Sequence, residues 1–296
     1  MSSDPVVVIG NFDGVHRGHR ELLRTARAAE PRAPLVAVTF WPHPMSVVRP
    51  DQTPLLLTSL PRRIELLREA GVDDVVVVEF TPEVASWSPA EFVDQVLRPL
   101  HPCRVVVGEN FRFGFRAAGS VQTLTELGAG AFVVQPVPLL TDGALPSSST
   151  LIRHAVLEGD FGRVRELSDT PFRYSGVVVQ GDQRGRLLGY PTANVAVTPG
   201  MAVPADGVYA GWVTRLDIPS PRWPAAISVG SNPTFDGVQR RIEAYVLDRD
   251  DLELYGVEIA IDFYSRIRGQ VRFAGMAPLI EQMHHDVDQI RHVLEL

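Results

Sequence analysis

The chain changes its local sequence pattern once, near Asp169-Thr170-Pro171. Before this point, short apolar runs rich in valine alternate with segments of helical periodicity, which is typical of a parallel, doubly wound α/β sheet. After it, short strand-like segments separated by Gly, Pro, Asn and Asp indicate a small antiparallel β-barrel. A length of 296 residues also fits two domains better than one. We therefore expect an α/β domain at residues 1–168 and a barrel domain at residues 169–296.

The apolar runs and periodicities also predict the individual elements. In the first domain we expect strands at residues 6–9, 34–40, 75–80, 105–108 and 132–137, and helices ending near Ala29, at 59–70, at 88–97, ending near Glu158, and at 161–167. In the second domain we expect strands at residues 174–180, 207–213, 225–229, 242–247 and 257–263, and a final amphipathic helix at 277–294. Doubly wound sheets bind ligands beyond the carboxyl ends of their strands, so the residues that follow the strands are the first candidates for a site.

The composition excludes several kinds of chemistry. The net charge of -7 gives no overall field that favours nucleic acid or an anionic membrane, so we expect neither as a partner. The sequence contains no lysine, which excludes a Walker A phosphate loop and any lysine nucleophile. The single cysteine, Cys103, allows no internal disulfide and favours a reducing compartment. Any phosphate site must therefore rely on arginine, histidine, backbone amides and a metal ion.

The chain shows no targeting or membrane segment by its pattern. Met1-Ser2-Ser3-Asp4-Pro5 has no basic region, and the apolar run after it is too short for a signal peptide. No run of about 18 apolar residues is present, so we expect no membrane span and a cytoplasmic location.

The first strand leads into a turn that carries two histidines. Gly10 and Gly14 bracket this turn, and a helix follows it, so free amides and the positive end of the helix dipole face whatever lies above the sheet edge. His16 and His19 are three residues apart and share one face of the first helical turn. They form either a phosphate clamp or a pair of solvent-facing histidines at a helix start.

A second polar turn lies before the helix that ends near Glu158. Ser147-Ser148-Ser149-Thr150 leads into this helix, and Arg153 follows within its first turn. The hydroxyls can cap the helix, or they can donate to a phosphate that Arg153 also reaches.

The barrel half contains two further candidates. Thr192 and Asn194 are oxygen ligands two residues apart, so in an extended segment they point the same way, as a Mg²⁺ site requires. An ordinary polar loop is the alternative. Glu243 lies on the face of a strand opposite to Ile242 and Ala244, where it is either a general base for a substrate hydroxyl or a solvated carboxylate.

Taken together, these motifs resemble those of the prokaryotic bifunctional riboflavin kinase/FMN adenylyltransferases, also called FAD synthetases. The motifs that carry the resemblance run from Val6 to the C-terminus, in the family's order. They are Gly10-Asn11-Phe12-Asp13-Gly14-Val15-His16-Arg17-Gly18-His19, Thr39-Phe40-Trp41-Pro42-His43-Pro44, Gly108-Glu109-Asn110-Phe111-Arg112-Phe113-Gly114, Ser148-Ser149-Thr150-Leu151-Ile152-Arg153, Gly189-Tyr190-Pro191-Thr192-Ala193-Asn194, Gly207-Val208-Tyr209-Ala210, Gly230-Ser231-Asn232-Pro233-Thr234-Phe235, Glu243 and Asp251-Leu252-Glu253-Leu254-Tyr255-Gly256. The resemblance implies a Rossmann-like nucleotidyltransferase domain followed by a riboflavin kinase-like barrel.

The resemblance also implies roles for single residues. In the first domain, FMN and ATP would give FAD and pyrophosphate, with His16, His19 and Asn110 at the reacting phosphates. Nucleotide-binding residues would be Gly10, Phe12, Asp13, Gly18, Ser149, Thr150 and Arg153 there, and Gly189 and Pro191 in the second domain. In that second domain, riboflavin and ATP would give FMN, with Thr192 and Asn194 on Mg²⁺, Glu243 as the base, and Asn232 and Arg268 near the flavin.

Two positions depart from the family's pattern. Trp41 stands where the family often has an acidic residue, and Ser147 replaces a branched apolar residue. An alternative hypothesis is therefore a specialised paralogue with one active half, or one that acts on a modified flavin or another phosphate ester. Homo-oligomerisation is left open by the sequence.

Overall fold

The computed structural model describes residues 4–138, 141–142, 145–146, 148–181, 189–234 and 237–296. The chain divides into two compact units, Met1–Ser149 and Thr150–Leu296. The division falls after the first residue of the helix at 149–158, whereas the change of sequence pattern falls after both this helix and the helix at 161–167. No helix among the described residues is long and apolar enough to cross a membrane.

The first unit is built on a parallel five-stranded sheet. Its strands are β1 (Val6–Ile9), β2 (Leu35–Trp41), β3 (Asp74–Glu79), β4 (Arg104–Gly108) and β5 (Val133–Val137), in the order β3-β2-β1-β4-β5. A two-stranded antiparallel ladder, β6 (Thr141–Asp142) with β7 (Leu145–Pro146), follows the sheet. The reversal of strand order on either side of β1 places the end of β1 at the switch point where such sheets bind ligands.

Helices cover both faces of this sheet. They are α1 (Arg17–Ala29), α2 (Pro44–Val48), α3 (Leu60–Glu69), α4 (Pro82–Ser86), α5 (Pro89–Phe92) and α6 (Val121–Leu127). The helix expected at 88–97 begins as α5 with a capping box between Ser88 and Glu91, and continues as a π-helical segment, Val93–Leu97.

The valine-rich strands are buried on both sides, as the sequence predicts. Val6 and Val8 lie in one apolar cluster with Leu22 and Leu67 of the neighbouring helices. The alternate residues of the same strand, Val7 and Ile9, lie in the opposite cluster. A strand packed on both faces gives a continuous apolar run, which explains why β1 is easy to recognise from its sequence.

The second unit is a closed six-stranded antiparallel barrel, with two helices before it and one helix after it in the chain. The strands are β8 (Phe172–Val179), β9 (Ala193–Ala196), β10 (Gly207–Arg215), β11 (Trp223–Thr234), β12 (Gly237–Val246) and β13 (Glu258–Gly269), paired around the barrel as β10-β11-β12-β9-β8-β13. The helices are α7 (Ser149–Glu158), which begins at the division, α8 (Phe161–Leu167) and α9 (Met276–Val293). Ring contacts join Phe161 of α8 to Phe172, Tyr209 and Phe263 of the barrel.

The barrel differs from the expected strand pattern in three places, one of which is β13, which continues to Gly269 instead of ending at residue 263. The strand β9 was not expected, because four residues next to a turn-rich stretch carry too little periodicity. The hairpin β11–β12 extends in both strands to the pair Thr234 and Gly237, well beyond the expected ends at 229 and 242. Backbone pairing with a partner strand sustains these polar ends, and this pairing leaves no trace in local hydrophobicity.

Candidate active sites

The turn after β1 is held in an unusual backbone conformation. Phe12 and Val15 both have positive φ angles, 51° and 38°, and Gly14 has a φ of 82°. The amide of Gly10 donates to the carbonyl of Val38 at 3.1 Å, which fastens the start of the turn to β2. The ring of Phe12 is buried directly beneath Gly10, where a Cβ atom would lie 3.1 Å from the ring. Phe12 and Gly10 therefore shape the turn by packing.

His16 and His19 face each other at the start of α1. Their rings stack with centroids 3.7 Å apart, and Nδ1 of His16 accepts a hydrogen bond from the amide of His19, so His16 is the N-cap of α1. Burial lowers the pKa of His16 to about 4, against the opposing effect of Asp13. Burial, His16 and Arg63 hold the pKa of His19 well below its usual range. Both rings are therefore neutral near pH 7 and offer a nitrogen as a hydrogen-bonding group.

The carboxylate of Asp13 is bound by other residues of the same chain. It accepts hydrogen bonds from the amides of Leu57 and Thr58 and from the Thr58 hydroxyl, at 2.9–3.1 Å. Arg63 of α3 adds an ion pair at 3.5 Å. The hydroxyl of Thr58 also accepts from the amide of Gly14 at 3.2 Å. Asp13 thus joins the turn to the segment before α3, and its nucleotide contact stays a prediction.

The other candidates of the first half lie at the following places. Gly18 is in the first turn of α1, and Asn110 is exposed just after β4. The hydroxyl of Ser149, the first residue of α7, donates to the carbonyl of Asp13 at 2.8 Å, which links this residue directly to the histidine-bearing turn. Thr150 and Arg153 follow on α7 in the second unit, and their contact with phosphate stays a prediction. Ser147 lies outside the described residues.

Trp41, the residue that departs from the family's pattern, lies beside a buried arginine. It is the last residue of β2 and precedes a cis peptide bond to Pro42. The guanidinium carbon of Arg63 lies 5.5 Å from the centre of the Trp41 ring, within the range of a cation–π contact.

In the barrel, the candidate base and a candidate metal ligand are direct neighbours. Glu243 of β12 pairs in register with Asn194 of β9 on one side and with Ser228 of β11 on the other. Directly opposite residues of antiparallel strands project from the same face of the sheet, so these three side chains form one row. Ile242 and Ala244 are buried, as expected for the opposite face.

Asn194 has an acceptor atom available. Its side chain is 7% exposed, and its Nδ2 group donates toward the carbonyl and hydroxyl oxygens of Thr192 at 3.4 Å. Its Oδ1 atom is buried and has no hydrogen-bond partner among the residues that the structure describes. Gly181 makes room for it, because a Cβ atom there would lie 2.5 Å from the Asn194 side chain. An unpaired buried oxygen beside a threonine hydroxyl fits the oxygen ligands that Mg²⁺ prefers.

Two cavities border this row of residues. One, of about 770 Å³, contains Gly189, Pro191, Thr192 and Asn194 in its lining, together with the acidic segment Asp250–Tyr255. The other, of about 420 Å³, is lined by Glu243, Ser228, Arg241, Gln270 and Arg272 among others. The predicted metal ligands and the predicted base therefore open onto separate cavities, although their strands are adjacent.

The structure describes the side chain of only one of the two predicted flavin-binding residues, Arg268. Asn232 lies within β11, and its side chain is outside the described residues. The guanidinium of Arg268 forms a two-pronged ion pair with Asp286 of α9, with N–O distances of 2.8 and 2.7 Å. Asp286 also accepts from Gln282 at 2.9 Å. The structure thus gives Arg268 a role in holding α9 on the barrel, and its contact with flavin stays a prediction.

Sequence reasoning missed Arg63, Asp286 and Gln270. Gln270 lines the smaller cavity and donates from Nε2 to the Ser228 hydroxyl at 3.1 Å. Arg63 is one of 28 basic residues, all arginine, and nothing in its local sequence separates it from the others. Each of these residues acts through a partner that is distant along the chain, so no local signal was available to identify it.

Comparisons with known proteins identify the family of the chain. A family model described as FAD synthetase matches residues 1–151, and one described as riboflavin kinase matches residues 168–294. The bifunctional riboflavin kinase/FMN adenylyltransferase of Bacillus subtilis is 34% identical over 287 residues, which cover 95% of this chain and 90% of that protein. The chain belongs to this family. The Escherichia coli K12 member is 34% identical over 285 residues, again covering 95% and 90% of the two chains.

The fold is also found in a solved structure. A crystal structure named as a macrolide-efflux protein from Streptococcus pneumoniae has a TM-score of 0.87 and is 32% identical, covering 98% of this chain and 95% of that one. The chain and the Streptococcus pneumoniae protein thus share the architecture of a doubly wound sheet followed by a closed barrel over nearly their whole length. The chain is an enzyme of flavin cofactor synthesis, with an FAD synthetase half and a riboflavin kinase half.

Proposed function

We propose that the barrel half phosphorylates riboflavin to FMN with ATP, and that the α/β half then adenylylates FMN to FAD. The observation that carries the two-site assignment is that each half holds its own reactive groups. His16 and His19 stack at the carboxyl end of β1, while Glu243 and Asn194 pair across β12 and β9. We propose that these functional halves correspond to residues 1–168 and 169–296.

In the kinase reaction, Glu243 takes the proton of the ribityl 5′-hydroxyl as that oxygen attacks the γ-phosphorus of ATP. A new O–P bond forms, the bond from the γ-phosphorus to its bridging oxygen breaks, and ADP leaves. The protein mainly positions the reactants and neutralises charge. Thr192 and Asn194 would hold Mg²⁺, which supplies positive charge to the phosphates when it is bound. We assign Gly189 and Pro191 to ATP, and Asn232 and Arg268 to the flavin side.

In the adenylyl transfer, a phosphate oxygen of FMN attacks the α-phosphorus of ATP, and pyrophosphate leaves. FMN already carries an anionic nucleophile, so this half works without a protein base. The neutral rings of His16 and His19 contribute hydrogen bonds to the phosphates beside the free amides of α1. We assign Asn110 to the transferring group, and Ser149, Thr150 and Arg153 to the leaving pyrophosphate.

One incubation tests this assignment. The chain is mixed with riboflavin, ATP and Mg²⁺, and the products are separated by chromatography. We expect FMN first and FAD later. FMN without FAD refutes the assignment of the first half and supports the paralogue hypothesis.

A comparison of samples with and without Mg²⁺ tests whether Asn194 is a ligand of the metal ion. Binding of an ATP analogue to the barrel half, measured by calorimetry, should weaken without Mg²⁺ and should lose its Mg²⁺ dependence in Asn194→Leu. Equal Mg²⁺ dependence in this variant and the unmodified chain would exclude Asn194 as a ligand.

A further inference from the structure

Arg63 is a charged group buried inside the adenylyltransferase half. Its side chain is 0% exposed, and its partner Asp13 is 2% exposed, at an ion-pair distance of 3.5 Å. Burying two charges is costly unless they are paired and well hydrogen-bonded. The position of this pair therefore calls for a specific physical reason.

The hydrogen bonds of Arg63 do not supply that reason. Nη1 donates to the carbonyl of Phe40 at 3.3 Å. Nε and Nη2 are buried and make no hydrogen bond to any residue in the described part of the chain. A purely structural arginine would be expected to use its five donors. What Arg63 contributes here is a positive charge, set against Asp13 and the face of Trp41.

This charge acts on both sides of the histidine-bearing turn. Asp13, which Arg63 balances, fastens the turn to Leu57 and Thr58. On the other side, burial is the main cause that lowers the pKa of His19, and the charges of His16 on its own helix and of Arg63 on α3 lower it further. The Nδ1 atom of His19 is buried and has no hydrogen-bond partner among the described residues. No hydrogen bond to these residues therefore determines whether Nδ1 carries a proton.

We propose that Arg63 is a positioning residue for adenylyl transfer, which acts through Asp13 and the histidine-bearing turn without touching the substrate. Its guanidinium pairs with the Asp13 carboxylate and holds it in the position that closes the turn onto residues 57–58. Its charge also opposes protonation of the neighbouring imidazole, so His19 meets the phosphates as a neutral group. The proposal rests on the proposed function of the first half, since it concerns FMN adenylylation alone.

The test compares FMN adenylylation by the full-length chain and its variants as a function of pH, with circular dichroism and thermal unfolding of the same samples as the fold control. FAD formation by the unmodified chain tests the proposed function, separately from the variants. In Arg63→Met we expect kcat/KM for adenylylation to fall about 100-fold. The acid limb of its pH profile should move to higher pH, because the charge that opposes protonation of His19 is gone.

Two further variants separate charge from structure. Arg63→Lys keeps the positive charge, and its acid limb should remain at the unmodified pH. Arg62→Met, on the same helix, removes an arginine that pairs with Glu65 and Glu69, and should leave adenylylation unchanged. The double variant Asp13→Asn/Arg63→Met removes both buried charges, so it should regain thermal stability without regaining activity.

Three results would overturn the proposal. The first is an Arg63→Met acid limb at the unmodified pH, which would assign Arg63 a packing role. The second is an Arg63→Lys limb displaced as far as that of Arg63→Met. The third is unmodified adenylylation in the double variant, which would show that the charge itself is dispensable.

Discussion

A single methyl group at Gly181 should separate the two activities of this chain. The Cβ atom of Gly181→Ala would lie 2.5 Å from Cγ and Nδ2 of Asn194 and 2.6 Å from its Oδ1, about 1 Å inside an ordinary contact. Asn194 is 7% exposed, so its side chain can yield only by turning away from Thr192. Overpacking of this kind costs about 1–3 kcal/mol of stability.

The functional cost should exceed the stability cost. A displacement of about 1 Å in a positioning group lowers a rate by about 100-fold. We therefore expect FMN formation from riboflavin to fall by about that factor in Gly181→Ala, while FAD formation from added FMN is retained. The assay is chromatographic separation of riboflavin, FMN and FAD over time, at saturating ATP.

Gly275→Ala is the matched control. A Cβ atom at Gly275 would meet nothing within 4 Å, so kinase activity should stay at the unmodified level. A kinase rate in Gly181→Ala equal to that of the control would show that the placement of Asn194 does not matter for phosphoryl transfer, and the reasoning would fail.

Three further predictions follow from the same geometry. Glu243→Gln should abolish FMN formation and leave FAD formation from added FMN, whereas His19→Ala should show the opposite pattern in the same chromatographic assay; parallel loss of both activities with the fold intact would contradict two separate sites. Asp286→Asn should lower the free energy of unfolding by about 3 kcal/mol in urea denaturation, because it leaves the charge of Arg268 without its partner. Asp248→Asn, at the exposed ion pair with Arg291, should lower it by less than about 1 kcal/mol. Equal losses in the two variants would refute the distinction between the buried and the exposed ion pair. The pKa of His16 is lowered from 6.5 to about 4 in the folded state, so at pH values between these two the unfolded chain binds a proton that the folded chain does not. Neutral His16 therefore contributes about 3 kcal/mol to the free energy of unfolding above pH 6.5, and this contribution is lost as the pH falls toward 4. His16→Asn, which keeps a helix cap, should therefore flatten this part of the stability profile, and an unchanged profile would count against the burial of His16.

The sequence was sufficient wherever the responsible interaction is local. The strand β1 was recognisable because both of its faces are buried, which leaves an uninterrupted apolar run. His16 and His19 were paired by helical spacing alone, and their rings stack in the structure. The fold class and the family followed from the order of such local motifs along the chain.

Tertiary structure decided the interactions that join distant segments. Asp13 meets residues 57 and 58, which lie 44 and 45 positions away, and a buried arginine that no local pattern distinguishes. Glu243 and Asn194 become neighbours only through the register of β12 with β9. Hydrophobic periodicity reports which face of an element is buried, and it carries no information about which distant charge or strand lies against that face. The sequence therefore determined the candidate reactive groups and their order along the chain, while the fold decided what holds each of them in place.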